Sequence, residues 1–480
     1  MGVGYQFSYF SNTISPYRQT PNFGIRTTVK HFYVKRKQFI KTSSALLAGG
    51  IISSTVSCNP RNRTVVRKNW AGNYTYKAEN YYEPATAADI QQLVKRLGKQ
   101  KALGSRHCFN DIADSPQNQI STRHLNQLVN LDPGKKIVTV EGGARYGDFA
   151  MELDKRGYAL HNLASLPHIT VAGACSTATH GSGVTLGNLA THVLAMEMVA
   201  PSGELLNVDR SHPDFYGLVV GLGAMGIVTK ISLEIEPTFE ARQDVFQDLP
   251  LSSLKEHFDE IVSTGYSVSL FTDWLDQKVS QVWIKRRTDK KLTTLGSDFF
   301  GAKAATRNLH PIVTMSAENC TEQMGVAGPW YNRLPHFKMG FMPSGGKELQ
   351  SEFFVPHSNA VDAILAVEKK KDLINPQLLI SEIRTIAADK LWMSPCYRQD
   401  CVSIHFTWKQ NPDEVGKLIP MIESELSPYR VKPHWGKLFS LNPSVIHQRY
   451  EKFADFLALA KKYDPDGKFR NHYLDLNVYS

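Results

Sequence analysis

From Glu83 onward the apolar positions change period several times, and each change marks an element. In "TAADIQQLVKRLGK" the residues Ile90, Leu93, Val94 and Leu97 recur at helical spacing behind Thr86, which predicts a capped helix. "KIVTVEGG" alternates and ends in glycines, so it predicts a strand, and "RYGDFAMELDKRGYAL" returns to the helical period. "HVLAMEMVAPSGELLNV" predicts two strands around a Pro-Ser-Gly turn, and "GIVTKISLEIEP" a further strand ended by Pro237. Beyond residue 240, strands such as "YSVSLFTDW" and "SQVWIKRR" mix with long helices, the last of them in "RYEKFADFLALAKKYDPDGKF". The order predicts one domain before about residue 238 and a second after it.

A chain of 480 residues can bury two sizeable cores. Its net charge of +10 suggests a polyanion partner until the charges are located. Residues 1–57 hold seven basic side chains (Arg18, Arg26, Lys30, Lys35, Arg36, Lys37 and Lys41) and no acidic one. The rest of the chain carries 48 basic against 45 acidic residues, a net +3, so no nucleic-acid-binding surface is read from it.

That leader has the layout of an export signal. "VKRKQFIKTSSALLAGGIISSTVSCNP" runs from a cationic start through small and apolar residues to Cys58. "KRKQFIK" resembles a twin-arginine signal with Lys37 in place of one arginine, and "STVSC" a loose lipoprotein box. The expectation is an exported, periplasmic protein, either released by simple cleavage or tethered to the membrane through a lipidated Cys58. Six cysteines without a C-x-x-C pair, and no His/Cys cluster at zinc spacing, predict neither a disulfide framework nor a metal site; a single bridge is left open. Residues 59–80 look like a linker.

Three glycine stretches compete as ligand cradles. "GLGAMG", Gly221–Gly226, matches the dinucleotide fingerprint, but a helix-like segment precedes it and a β-branched one follows, the reverse of the required context. "ALGSRHCFND" is a short strand broken at Gly104 that sets His107 at the tip of a tight turn. "SLPHITVAGACSTATHGSGV" gathers small residues that let backbone N–H groups approach a ligand, as phosphate-binding turns do. Each of the last two stretches, taken alone, reads first as a tight turn between packed elements.

Together with "GLGAMGIVTKISLEIEP", "NCTEQMGVAGPWYNRLPHF", "LQSEF", "EIRTIAAD", "HFTW" and "HWGK", these stretches resemble, in order, the blocks of alditol (xylitol) oxidases. Those belong to the vanillyl-alcohol oxidase superfamily of flavoproteins, with the aldonolactone oxidases as near relatives. The resemblance covers the chain from about Asn69 to its end. It implies a two-domain α+β fold: a leader over 1–58, a PCMH-type FAD-binding domain over 59–238, a mixed-sheet substrate domain over 239–440, and a C-terminal segment over 441–480 returning to the FAD domain. It implies FAD bonded covalently through His107, with Gly104, Ser105, Arg106 and Cys108 around the pyrophosphate. Ser165, His168, Gly173, Ala174, Ser176 and His180 would lie along the cofactor, and Ile227 would meet it through its backbone. Arg106 and Cys108 depart from the commoner Gly-Ser-Gly-His-Ser turn; Arg106 would add a contact to phosphate but needs an ordinary φ.

By the same resemblance Ser165, Gln350, Glu382, Arg384, His405, Thr407 and Lys437 form the substrate site. The chemistry suits a polyol, whose hydroxyls each donate and accept. Glu382 and Arg384, two apart, share a strand face; without the resemblance they would read as a surface ion pair. Lys437 and Arg384 would stabilise the developing alkoxide, and a histidine or deprotonated lysine would take its proton. The implied reaction is oxidation of a sugar alcohol with O2 as acceptor and H2O2 as product. An aldonolactone oxidase or dehydrogenase is the alternative, and a non-catalytic flavin- or sugar-binding protein the alternative of another class.

Overall fold

The computed structural model describes residues 66–340 and 347–480; the leader, Cys58 and the first part of the expected linker lie outside them. The periods read from the sequence correspond to real elements. Thr86 closes a capping box with Asp89 on the helix Ala87–Arg96, which buries Ile90 and Val94. Ile137–Glu141, Val193–Val199, Leu205–Asp209 and Ile227–Glu234 join Leu128–Asp132 in a five-stranded antiparallel sheet. Gln100–Leu103 lies in a separate three-stranded parallel sheet and stops at Gly104, where the chain turns toward His107.

The larger sheet has ten strands among the described residues. At its centre Ser267–Thr272, Leu378–Ile386, Cys401–Lys409 and Glu348–Pro356 run side by side and antiparallel. The register sets out the polar residues in rows. Glu352 faces His405 and His405 faces Glu382; Gln350 faces Thr407. Side chains two apart on a strand share a face, so these rows and Arg384 point the same way. The other side packs on helices such as Ala360–Glu368 and Pro412–Leu426, through Phe353, Ile383, Ile404 and Phe406.

Two large hydrophobic clusters follow the two sheets. One gathers Val138, Val140, Ile231 and Leu233 with Tyr450, Phe456 and Leu474 from the C-terminal helices. The other holds the helix-covered side of the large sheet. No described helix is long and apolar enough to cross a membrane. The expected linker is packed from residue 67 onward: Asn69 and Asn73 donate side-chain hydrogen bonds to the carbonyls of Cys108 and Phe109, and the Trp70 N–H donates to Arg106 O. Polar composition there reflects a clasp on the His107 turn.

Candidate functional site

A cavity of about 310 Å³ joins the glycine stretches to the polar rows. Gly104–Phe109 form one part of its wall, Gly173, Ala174, Ser176 and Thr177 another, and Gly221–Gly223 with Met225 and Gly226 a third. The last hexad therefore borders the cavity without the strand–turn–helix geometry of a dinucleotide fingerprint: it leads into the strand Ile227–Glu234. Lys101, fully buried, braces it by donating to the carbonyls of Leu222 and Gly223.

At the opening turn, no described group accepts from the amide N–H groups of Ser105, Arg106, His107 and Cys108. Successive unpaired N–H groups beside a cavity form an anion-binding nest. Arg106 does not take the ordinary φ expected of it: it sits at φ 64°, a left-handed conformation that costs an L-residue about 1–2 kcal/mol. Its guanidinium is directed to Lys68 O at 3.4 Å. The His107 ring stacks on Trp70 with centroids 4.9 Å apart and lies against His168 at 5.1 Å. Burial, helped by His168 and Arg106, pushes its pKa down to about 3, so the imidazole is neutral.

These groups fit FAD: a nest of free amides suits a pyrophosphate, and the small-residue wall suits a flat ring system. One expected contact lies elsewhere. His168 packs against His107 rather than on the cavity wall, its buried ring nitrogens without hydrogen-bond partners. The Ile227 side chain is buried with Ile90, Val94 and Phe469, which leaves only its backbone for the expected contact, and its neighbours Gly226 and Val228 line the cavity.

Ser165, His180, Gln350, Glu382, Arg384, His405, Thr407 and Lys437 all line the same cavity. Glu382 and Arg384 are buried at 5% and 6% exposure, so the surface-pair reading fails. Their mutual approach, Arg384 Nε to Glu382 Oε1, is 3.6 Å. The closer partner of Arg384 is Glu352, which the sequence reading passed over. Glu352 Oε1 accepts from Arg384 Nη2 at 2.6 Å and Oε2 from Lys437 Nζ at 2.7 Å, while His180 Nε2 lies 3.2 Å from Oε1. Burial opposes its charge, but Lys437, Arg384 and His180 hold the carboxyl well below the usual range. The signal was available: Glu352 stands two residues from Gln350 in "LQSEF", the spacing that joined Glu382 to Arg384.

His336 and Lys285 were also missed. His336 Nε2 is 2.7 Å from Glu382 Oε1, and Lys285 Nζ is 2.9 Å from His336 Nδ1. On the other flank Gln350 donates through Nε2 to Glu348 at 2.5 Å, which turns its Oε1 toward His405 Nε2 at 3.1 Å. An amide oxygen only accepts, so the His405 proton is on Nε2 and Nδ1 carries the lone pair. That buried Nδ1 has no hydrogen-bond partner. Burial, then Lys437, holds His405 well below the usual histidine range, so it is a neutral base. Lys437 is lowered by burial against the opposing pull of Glu352.

The turn and the lysine are tied together. Phe109 N–H donates to Gly436 O, and Asn110 Nδ2 donates to Trp435 O and Lys437 O at 2.8 and 2.9 Å.

The FAD binding domain family matches residues 78–209 and the D-arabinono-1,4-lactone oxidase family residues 335–477. An alditol oxidase of Streptomyces sp. (strain IKD472 / FERM P-14339) is 44% identical over 409 residues, covering 85% of this chain and 97% of that one. An L-gulonolactone oxidase of Scyliorhinus torazame is 26% identical over 440 residues, covering 86% and 98%. The crystal structure of cholesterol oxidase from B. sterolicum superposes with a TM-score of 0.70 at 14% identity, over 86% of this chain and 96% of that one, which is a likeness of fold. On its identity and coverage with the Streptomyces enzyme, joined to the FAD-binding and lactone-oxidase matches, the chain belongs to the alditol oxidase family.

Proposed function

We propose that the protein oxidises a terminal carbinol of an open-chain sugar alcohol, with O2 as electron acceptor and H2O2 as product. The observation that carries this reading is the buried Glu352 carboxylate that holds Lys437 at 2.7 Å and Arg384 at 2.6 Å on the wall of a cavity shared with neutral His405 and the nest. FAD, when bound, would supply the hydride acceptor, with O2 as the final oxidant. A neutral histidine of the cavity wall, or Lys437 in its deprotonated form, takes the hydroxyl proton. Lys437 and Arg384, fixed on buried Glu352, stabilise the developing alkoxide. Glu382 accepts from a further hydroxyl, and Ser165, Gln350 and Thr407 supply groups that donate and accept. His107, neutral and at the cavity wall, would hold FAD covalently, and the amides of residues 105–108 would hold its pyrophosphate.

A second reading, oxidation of an aldonolactone, is favoured by one observation: the D-arabinono-1,4-lactone oxidase match spans Gln350 through Lys437. We further propose export, on the acid-free leader and the apolar run before Cys58. Intact leader on cytoplasmic protein overturns export. The activity is tested by mixing the purified protein anaerobically with alditols and aldonolactones, following flavin bleaching, then admitting air. Bleaching by alditols with peroxide on re-oxidation is expected; bleaching by lactones alone selects the second reading.

A further inference from the structure

We propose that Lys285 and His336 are positioning residues that hold Glu382 as an ionised acceptor, with one oxygen reserved for a substrate hydroxyl. The proposal rests on the polyol-oxidation reading. It starts from a lysine in an unfavourable place. Lys285, on the strand Lys278–Arg287, is 1% exposed, and no carboxylate lies within ion-pair distance of it among the described residues. Burial pushes its ammonium down to about 7 against the opposing pull of Glu382, and even the neutral amine keeps two N–H donors. Its partners are the Leu334 carbonyl and His336 Nδ1.

That contact fixes the chemistry of the next group. A lysine nitrogen of this kind donates, so Nδ1 of His336 accepts and the ring proton is confined to Nε2. Nε2–H then donates to Glu382 Oε1 at 2.7 Å. The ring cannot easily turn away. It meets the edges of Phe271 and Trp283 at 5.4 and 5.3 Å, and its backbone N–H donates to Ser165 O. Burial and the neighbouring Lys285 both push the imidazole down to about 4, so it stays neutral. With Arg384 Nε also near Oε1, no described hydrogen bond reaches Oε2 of Glu382, which lines the cavity. His336, held by Lys285, thus spends its donor on Oε1 and leaves Oε2 as a pure acceptor.

Removing Lys285 releases the tautomer. The proton can move to Nδ1, and the Nε2 lone pair would then oppose Oε1. The test compares Lys285→Met, His336→Leu and His336→Gln as flavin-loaded proteins. Readouts are the ring-nitrogen NMR signature of His336, and the half-saturation and limiting rate of anaerobic flavin reduction by a sugar alcohol, with flavin content and melting temperature alongside. Wild type should show the Nε2–H form and Lys285→Met a different one. Half-saturation should rise about ten- to hundredfold in Lys285→Met and His336→Leu, the scale of a lost hydrogen bond to a charged group, with a smaller change in limiting rate. His336→Gln, whose amide still donates to Glu382, should recover most of it. An Nδ1–H ring in wild type, unchanged half-saturation in Lys285→Met, or a glutamine variant no better than leucine overturns the proposal. A wild-type flavin that no sugar alcohol reduces overturns the activity, and the proposal with it.

Discussion

Lys437 and Arg384 share one carboxylate: Nζ of the first is 2.7 Å from Glu352 Oε2, and Nη2 of the second 2.6 Å from Oε1. Glu352 is 1% exposed, and its removal leaves Lys437 without its carboxylate and Arg384 with only the longer approach to Glu382. Breaking a buried pair of this kind typically costs about 3–5 kcal/mol. Glu352→Gln should therefore lower the melting temperature and, in whatever protein survives, slow flavin reduction as both cations lose their anchor. An unchanged melting temperature would show that Arg384 and Lys437 find other partners.

Acid sensitivity should come from histidines. Burial pushes His336 to about 4 and His434 to about 3. In the unfolded chain a histidine titrates near about 6.5. Between those values the unfolded state binds a proton that the folded state refuses, so stability falls as pH falls. The slope is about 1.4 kcal/mol per pH unit for each such group. The carboxylates Glu352 and Glu382, both held low, are still ionised over that range. The melting temperature should drop between about pH 7 and pH 5, and less steeply in His434→Gln. A flat profile there contradicts the buried, neutral assignment.

Flavin should stay on the chain after denaturation. His107 lines the cavity as a neutral imidazole braced by Trp70, which leaves it a lone pair for the link. A fluorescent flavin band on a denaturing gel, absent in His107→Ala, is the expected result. Flavin released into the supernatant from wild type would remove the covalent bond while leaving the fold intact.

Local pattern carried most of the secondary structure, because capping, alternation and turn chemistry act within a few residues. Thr86 with Asp89 and the Gly104 break are of this kind. The rows Glu352–His405–Glu382 and Gln350–Thr407 depend on register between strands far apart in sequence, and nothing local sets it. Glu352 was within reach of the same-face argument. Lys285 was not: on an alternating strand it reads as the solvent-facing residue, and only the packing of Leu334 and His336 over it makes it a buried one. Arg106 at φ 64° is likewise invisible to a residue-by-residue reading, since it is the clasp from residues 69–73 that holds the turn. The family blocks brought the scattered residues together where periodicity could not.

The last prediction separates a catalytic lysine from a structural one. Lys437 lines the cavity beside His405 and Arg384, and its backbone is fixed independently of its ammonium through Asn110. Lys437→Met keeps the stem and removes the charge. If the ammonium acts on the developing alkoxide, flavin reduction should slow by about 10²–10³-fold, the usual cost of one such donor, with little loss of bound flavin. Glu352 still holds Arg384 and lies near His180 in this variant, so the stability loss should be smaller than in Glu352→Gln. A lysine that serves only to neutralise Glu352 predicts the opposite pattern, a lowered melting temperature with a wild-type reduction rate in the folded protein. Anaerobic stopped-flow reduction of Lys437→Met, with thermal melts of both variants, decides between them. A reduction rate within a factor of a few of wild type would take Lys437 out of the reaction and leave His405 to act with Arg384 alone.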